Sequence, residues 1–409
     1  MRLFWWASAA DAVGSQASGV VLPLLLLGLG YSPAMVGLIA GVSTVAGLVL
    51  GPLAAVPADR GARKQVMFWS AVVSALAMVS VAVSVVGGRP SVLFLLGAVL
   101  VERFATTCYE AAAAGTVVLI CPPGEESRAV ARLGAADQGA LVLGPALGGV
   151  LYQLGRALPF LADAVSYAVA AVCVRAMRSD LKAPEEPGRS EEPEGAEVPR
   201  DRVSLVGELV AGLALVRASS FLRLVLVWTT TVNGVVVALY YGAVFTLQKY
   251  GDGGARMGLV LAISGAAGLV GSLAAPRVAA RVGPPRLLIA VSWALVPLAA
   301  GLAAASGALA YGVLFGTLCL LMPLAVVVLQ ARAIQMTAPG LQARTGAVLA
   351  TAAGGAAALA PVLAGVFAAR SGTAAPALGC AVLLAALALH TTWRSARGTV
   401  FADVAEEAL

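Results

Sequence analysis

Asp11, Glu102, Arg103, Glu110, Asp137 and Asp163 stand inside long apolar stretches of the chain. An ionisable side chain at mid-bilayer costs at least about 2.5 to 3.5 kcal/mol, so each of these must be paired or must face a wet cavity. The chemistry that acids in such places can do is reversible protonation: a partly desolvated carboxylate loads and releases a proton as its exposure changes. Helical spacing sorts them. Arg103, Thr107 and Glu110 share one helix face (i, i+4, i+7), and so do Ser8, Asp11, Ser15 and Ser18 on another helix. Thr230, Asn233 and Tyr240 form a third, uncharged stripe. Asp11, Glu110 or Asp137 is the expected proton carrier, with Glu102 and Arg103 as a nearby charge pair; the competing reading is a fixed ion-pair network that locks one helix. Asp163, close to one end of its span, is expected to hydrogen-bond a neighbouring helix end.

The elements that must carry these side chains are membrane spans. With 60% hydrophobic and 12% charged residues over 409 positions, the composition excludes a soluble globule, in which about a quarter of residues are charged. Mean hydropathy is +0.92. Twelve apolar runs of about 20 residues, each able to cross a bilayer, fall near 4–29, 34–57, 66–87, 91–119, 128–153, 157–177, 220–247, 257–279, 286–305, 308–331, 343–369 and 372–393. With both termini in the cytoplasm, roughly 21 of the 27 basic residues lie in cytoplasmic segments, as positive charge is retained inside during insertion. The net charge of +6 therefore reflects topology and gives no reason to expect nucleic-acid binding. The first span is read as a retained helix, not a signal peptide. All five cysteines lie in or beside apolar spans without metal-ligand spacing, so neither a metal site nor a cofactor is expected. His390 and the pair Trp5-Trp6 read as membrane-interface residues.

The polar segment 179–204, rich in Pro, Glu and Arg, reads as a cytoplasmic linker between two bundles, 1–178 and 205–394, with a short tail at 395–409. The two bundles are copies. Pro123 to Val150 recurs 216 positions later as Pro339 to Val366, matching at Pro123-Gly124, Arg128, Gly139, Pro145 and Gly149 without a gap. Acids at depth are confined to the first copy; opposite Asp137 stands Ala353. Two further segments carry mechanism. Asp59-Arg60-Gly61-Ala62-Arg63-Lys64 is a tight charged turn after the second span, able to bridge two helix ends, and the equivalent turn of the second copy keeps the bases and lacks the acid. Gly144-Pro145-Ala146-Leu147-Gly148-Gly149 combines a helix-bending proline with glycines on a packing face.

These residues resemble the major facilitator superfamily, and within it the macrolide-efflux-like branch of drug exporters. Asp59 to Lys64 is similar to the superfamily's signature turn, although Ala55 and Ala62 stand where its glycines usually are. Gly144 to Gly149 looks like its antiporter motif, and Pro159 to Tyr167 looks like a segment frequent in the branch. The resemblance implies an all-helical fold of 12 spans in two pseudo-symmetric six-helix bundles, with spans one, four, seven and ten around a central cavity. The stripes with Ser15, Ser18, Arg103, Thr107, Thr230, Asn233 and Tyr240 would then meet as a substrate cavity. It implies a cytoplasmic-membrane exporter, expected to be monomeric, moving a hydrophobic or amphipathic small molecule against protons; richness in Ala, Gly, Val and Arg with only three lysines, Lys64, Lys182 and Lys249, suggests a bacterial source. A specific metabolite or siderophore transporter, and a non-transporting scaffold or receptor, remain open. No nucleophile with a base, metal cluster or phosphate-binding loop points to an enzyme.

Overall fold

The computed structural model describes residues 2–57, 63–88, 90–120, 140, 143–144, 147–177, 213–249, 253–337 and 342–397. Eleven long helices run through them: α1 (Arg2–Gly28), α2 (Pro33–Pro57), α3 (Arg63–Val86), α4 (Val92–Ile120), α5 (Leu158–Ala176), α6 (Ser220–Lys249), α7 (Gly253–Val282), α8 (Pro284–Ala304), α9 (Ala308–Gln335), α10 (Gln342–Ser371) and α11 (Ala375–Ala396). Each is long and apolar enough to cross a membrane, with span hydropathies of 1.4 to 2.5. They coincide with eleven of the twelve expected runs. The fifth run lies mostly outside the described residues, as do the linker, Asp59, Arg60, Asp137 and Pro145, so the described residues support eleven spans of the expected twelve.

Helix ends follow the local chemistry. At the end of α1 the chain turns through Gly30 at φ 91°, and the amides of Gly30 and Tyr31 reach back to the carbonyls of Leu27 and Leu26 at 2.9 and 3.1 Å. That paired closure needs a left-handed residue, which glycine supplies without steric cost. Prolines open α5, α8 and α11 in their first turns, where a missing N–H leaves no bond unmade.

Helices α1 to α5 pack on one another, chiefly α1 on α5 and α3 on both α4 and α5; α6 to α11 form a second group, led by α9 on α7 and α10 on α6. The groups meet mainly where α2 lies along α10. There, small residues bring backbones together. A methyl built on Gly41 would stand 2.6 Å from Val362 Cγ2 and 2.7 Å from the Ala358 carbonyl oxygen, and one on Gly37 or Gly365 would collide with the carbonyl of Pro361 or Pro33. These contacts join the first half of α2 to the second half of α10, at the face that the charge distribution predicts to be outside.

Candidate functional site

The buried acids of the first group form one cluster between α1, α4 and α5. Gly14 has no side chain where α1 crosses α5, and any Cβ there would strike Ser166 and Asp163. The close approach lets Ser18 Oγ donate to Asp163 Oδ2 at 2.5 Å. Ser166 Oγ lies 3.3 Å from Asp163 Oδ1 and donates to the Asp163 carbonyl at 2.8 Å. Asp163 is fully buried. The expectation that it would hold a neighbouring helix end is therefore corrected: its partners are side-chain hydroxyls in mid-helix, because the α1–α5 crossing leaves room for nothing longer than serine. One turn further along α5, Tyr167 donates to Glu102 Oε1 on α4 at 2.6 Å. Asp11, Glu102 and Asp163 all act electrostatically on the Tyr167 hydroxyl.

Beside the cluster lies a cavity of about 340 Å³, with Ser15, Ser18, Ser43, Thr44, Glu102 and Arg103 among its lining groups. The Arg103 guanidinium runs across Gly47 of α2, where a Cβ would come within 2.7 Å of Nε. Of the stripe expected on α4, Arg103 reaches this cavity. Thr107 instead back-bonds to the Arg103 carbonyl at 2.7 Å, and Glu110 is exposed. On α1, Ser15 and Ser18 line the cavity, Ser15 also bonding the Asp11 carbonyl at 2.5 Å, while Asp11 itself is half-buried. From the second group Tyr241, not Tyr240, completes the wall. Tyr240 packs edge-on against Tyr241 with ring centroids 5.0 Å apart. Neighbouring helix positions point about 100° apart, so a one-residue error in the stripe put the wrong tyrosine in the cavity.

The second group has its own cavity, of about 400 Å³, between α6, α9 and α10. Asn233 lines this cavity and not the one that holds Ser15, Ser18 and Arg103, so the expected stripes do not meet in one cavity; Thr230 lines neither, its hydroxyl is buried without a hydrogen-bond partner, and Thr229 takes its place in the wall. Trp228, Gln330, Thr337 and Thr345 also line it. The stripe on α6 missed Trp228 because an apolar-faced residue carries no polarity signal. Among the described residues around this cavity none is acidic or basic.

The signature turn is described from Arg63 onward. Lys64 Nζ donates at 2.5 Å to the carbonyl of Met177, the residue that ends α5. A cation at the C-terminus of a helix faces the negative end of its dipole, so Lys64 ties the start of α3 to the end of α5. Of the glycine-rich segment, Gly144 and Gly148 face α1: a Cβ on Gly144 would be 2.5 Å from Gln16 Cβ, and one on Gly148 would collide with the Ala17 carbonyl. Gly149 is buried. His390 is half-buried near the end of α11, its ring 6.4 Å from that of Trp393.

No curated protein matches the chain. Among solved structures, the nucleoside transporter NupG superposes with a TM-score of 0.69 at 12% identity, over 96% of this chain and 99% of that one. A bacterial homolog of the human lysosomal transporter Spinster, inward-facing and occupied, gives 0.71 at 13% identity over 96% and 95%. A bacterial homologue of the iron transporter ferroportin, inward-facing, gives 0.69 at 13% over 95% and 98%. At such identities the likeness is one of fold. The family model described as Major Facilitator Superfamily matches residues 4–330. The paired helix groups, the acid-bearing cavity and this match together make the chain a multi-pass membrane protein belonging to the Major Facilitator Superfamily.

Proposed function

We propose that the protein is a secondary exporter of the bacterial cytoplasmic membrane that moves hydrophobic or amphipathic small molecules outward in exchange for protons. The observation that carries this reading is the pair of membrane-embedded carboxylates, Asp163 and Glu102, whose hydrogen bonds among the described residues come from hydroxyls, with the Arg103 charge acting on Glu102 from beside it. A hydroxyl both donates and accepts, so the same scaffold accommodates the carboxylate and the carboxylic acid. An ion pair could not, since losing one charge would strand the other. The Asp11 charge acts on the same tyrosine, so a change in its protonation is felt by the cluster. Among its described residues the second group offers no comparable acid, which favours the first group of helices as the proton carrier. Alternating access follows from rocking of 1–178 against 205–394 around the cavities.

The test is counterflow in sealed proteoliposomes loaded with ethidium or a macrolide. An imposed pH difference should drive export, and Glu102→Gln and Asp163→Asn should lose that dependence. Equal transport with the pH difference collapsed and the voltage clamped at zero would end the proton-coupled reading.

Arg103 favours a second reading, export or import of an anionic metabolite. Its guanidinium lies at the cavity wall with α2 reduced to a bare backbone beneath it. Under that reading Arg103→Gln abolishes transport of anions while leaving neutral substrates moving.

A further inference from the structure

The exporter reading places protons in the first group of helices and leaves open where the cargo rests. We infer that the cavity between α6, α9 and α10 is a separate binding site for an uncharged, largely apolar molecule bearing hydroxyl or amide groups. This inference deepens the exporter reading and rests on it for the word cargo, although not for the binding itself.

At about 400 Å³ the cavity has the size of a small-molecule site, roughly 300 to 1,000 Å³. One wall is the fully buried Trp228. Its indole N–H is already spent on Ser292 Oγ at 3.0 Å, so behind the wall it adds apolar bulk and no donor, and the ligand meets Val225, Val232, Met322 and Leu349. Asn233 and Gln330 contribute amides, each able to donate and to accept. The fourth feature is an orphan. Thr345 is 3% exposed, lines the cavity, and its hydroxyl makes no hydrogen bond. Other threonines of the wall, Thr229 and Thr337, are satisfied by carbonyls of their own helices at 2.7 Å. A buried hydroxyl without a partner is a standing cost, and a ligand that hydrogen-bonds it recovers that cost as affinity.

The electrostatics choose the class of ligand. With no acidic or basic side chain among the described lining residues, an ammonium or a carboxylate entering the cavity would give up its hydration for dipoles alone. A neutral molecule with one or two polar groups exchanges water for Thr345, Asn233 and Gln330, and packs its apolar part against Val225, Val232, Met322 and Leu349. Cargo and proton would then occupy different helix groups, coupled through the movement of those groups and not by competition for one carboxylate.

Binding to the purified full-length protein in lipid nanodiscs tests this without any gradient. The probes are radiolabelled chloramphenicol, which is uncharged and carries an amide and hydroxyls, the permanent cation ethidium, and the anion salicylate. Saturable binding is expected for chloramphenicol alone. Thr345→Val and Asn233→Leu should weaken it by about three- to tenfold, the scale of one hydrogen bond. Thr345→Ser should restore it, and Thr317→Val, which removes an exposed hydroxyl elsewhere on α9, should leave it as it was. The inference is overturned by absent chloramphenicol binding, by equal weakening in Thr317→Val and Thr345→Val, or by a charged probe whose binding Thr345→Val abolishes. Binding without proton-driven transport ends the exporter reading and keeps the site. Proton-driven transport without this binding does the reverse.

Discussion

The Tyr167 hydroxyl is the single bond that holds the Glu102 carboxylate to α5, at 2.6 Å. Tyr167→Phe should therefore cost about 1 to 3 kcal/mol of stability, because it leaves a half-buried acid without its donor. Tyr167→Phe combined with Glu102→Gln should cost less than the two single changes added together, since they share one interaction. Denaturation midpoints of the purified variants measure both, and strict additivity would show that the bond is energetically idle. The acids themselves were legible in the sequence, because charge in an apolar run is conspicuous, and so was the face that carries Ser15 and Ser18. Their partners were less so. Ser166 and Tyr167 stand three and four positions beyond Asp163, on its own helix face, and could have been found by the spacing that grouped Arg103 with Thr107. Tyr241 and Trp228 could not, since both look apolar in a span and only the packing of α6 decides which side meets a cavity.

Close helix crossings are bought with missing side chains. Where span five meets α1, a Cβ on Gly148 would overlap the Ala17 carbonyl, whereas Gly97 on α4 has open space around it. Gly148→Val should lower stability by about 1 to 3 kcal/mol through overpacking. Gly97→Val should change it little, although both substitutions replace a glycine within a helix. Thermal unfolding of the two variants side by side checks this, and equal shifts would reduce the difference to helix propensity. The sequence signalled the glycine segment as a packing face and also its repeat, but not which helix each copy would meet: Gly148 faces α1 of its own group, while Gly365, the repeat partner of the neighbouring Gly149, faces Pro33 across the groups. Lys64 behaves as the charged turn suggested, joining two helix ends. Lys64→Met should loosen the α3–α5 junction by about 0.3 to 1 kcal/mol, the usual worth of a cation at a helix C-terminus. Asp59 and Arg60 of that turn lie outside the described residues.

Two groups of helices that exchange a cargo across a membrane must separate at one face while closing at the other, and the contact most exposed to that demand is α2 on α10. Its glycines admit no side chain, so the surfaces either touch along the backbone or part altogether; they have no soft intermediate in which long side chains could stretch to keep contact. Val362 Cγ2 comes so near Gly41 that cysteines at the two positions fall within disulfide reach. In a chain whose five natural cysteines are replaced by serine, Gly41→Cys with Val362→Cys should oxidise readily and stop transport, and reduction should restore it. Each single cysteine should transport at a rate that oxidant does not change, Gly41→Cys more slowly than Val362→Cys because its Cβ crowds the Ala358 carbonyl. Transport that continues at the original rate in the fully cross-linked protein would mean that this face never opens, and the rocking of one group against the other would have to be abandoned. The repeat at a spacing of 216 residues announced two halves, yet this seam was invisible in it, because a duplication fixes what each half is like and leaves to packing which surfaces they turn toward each other.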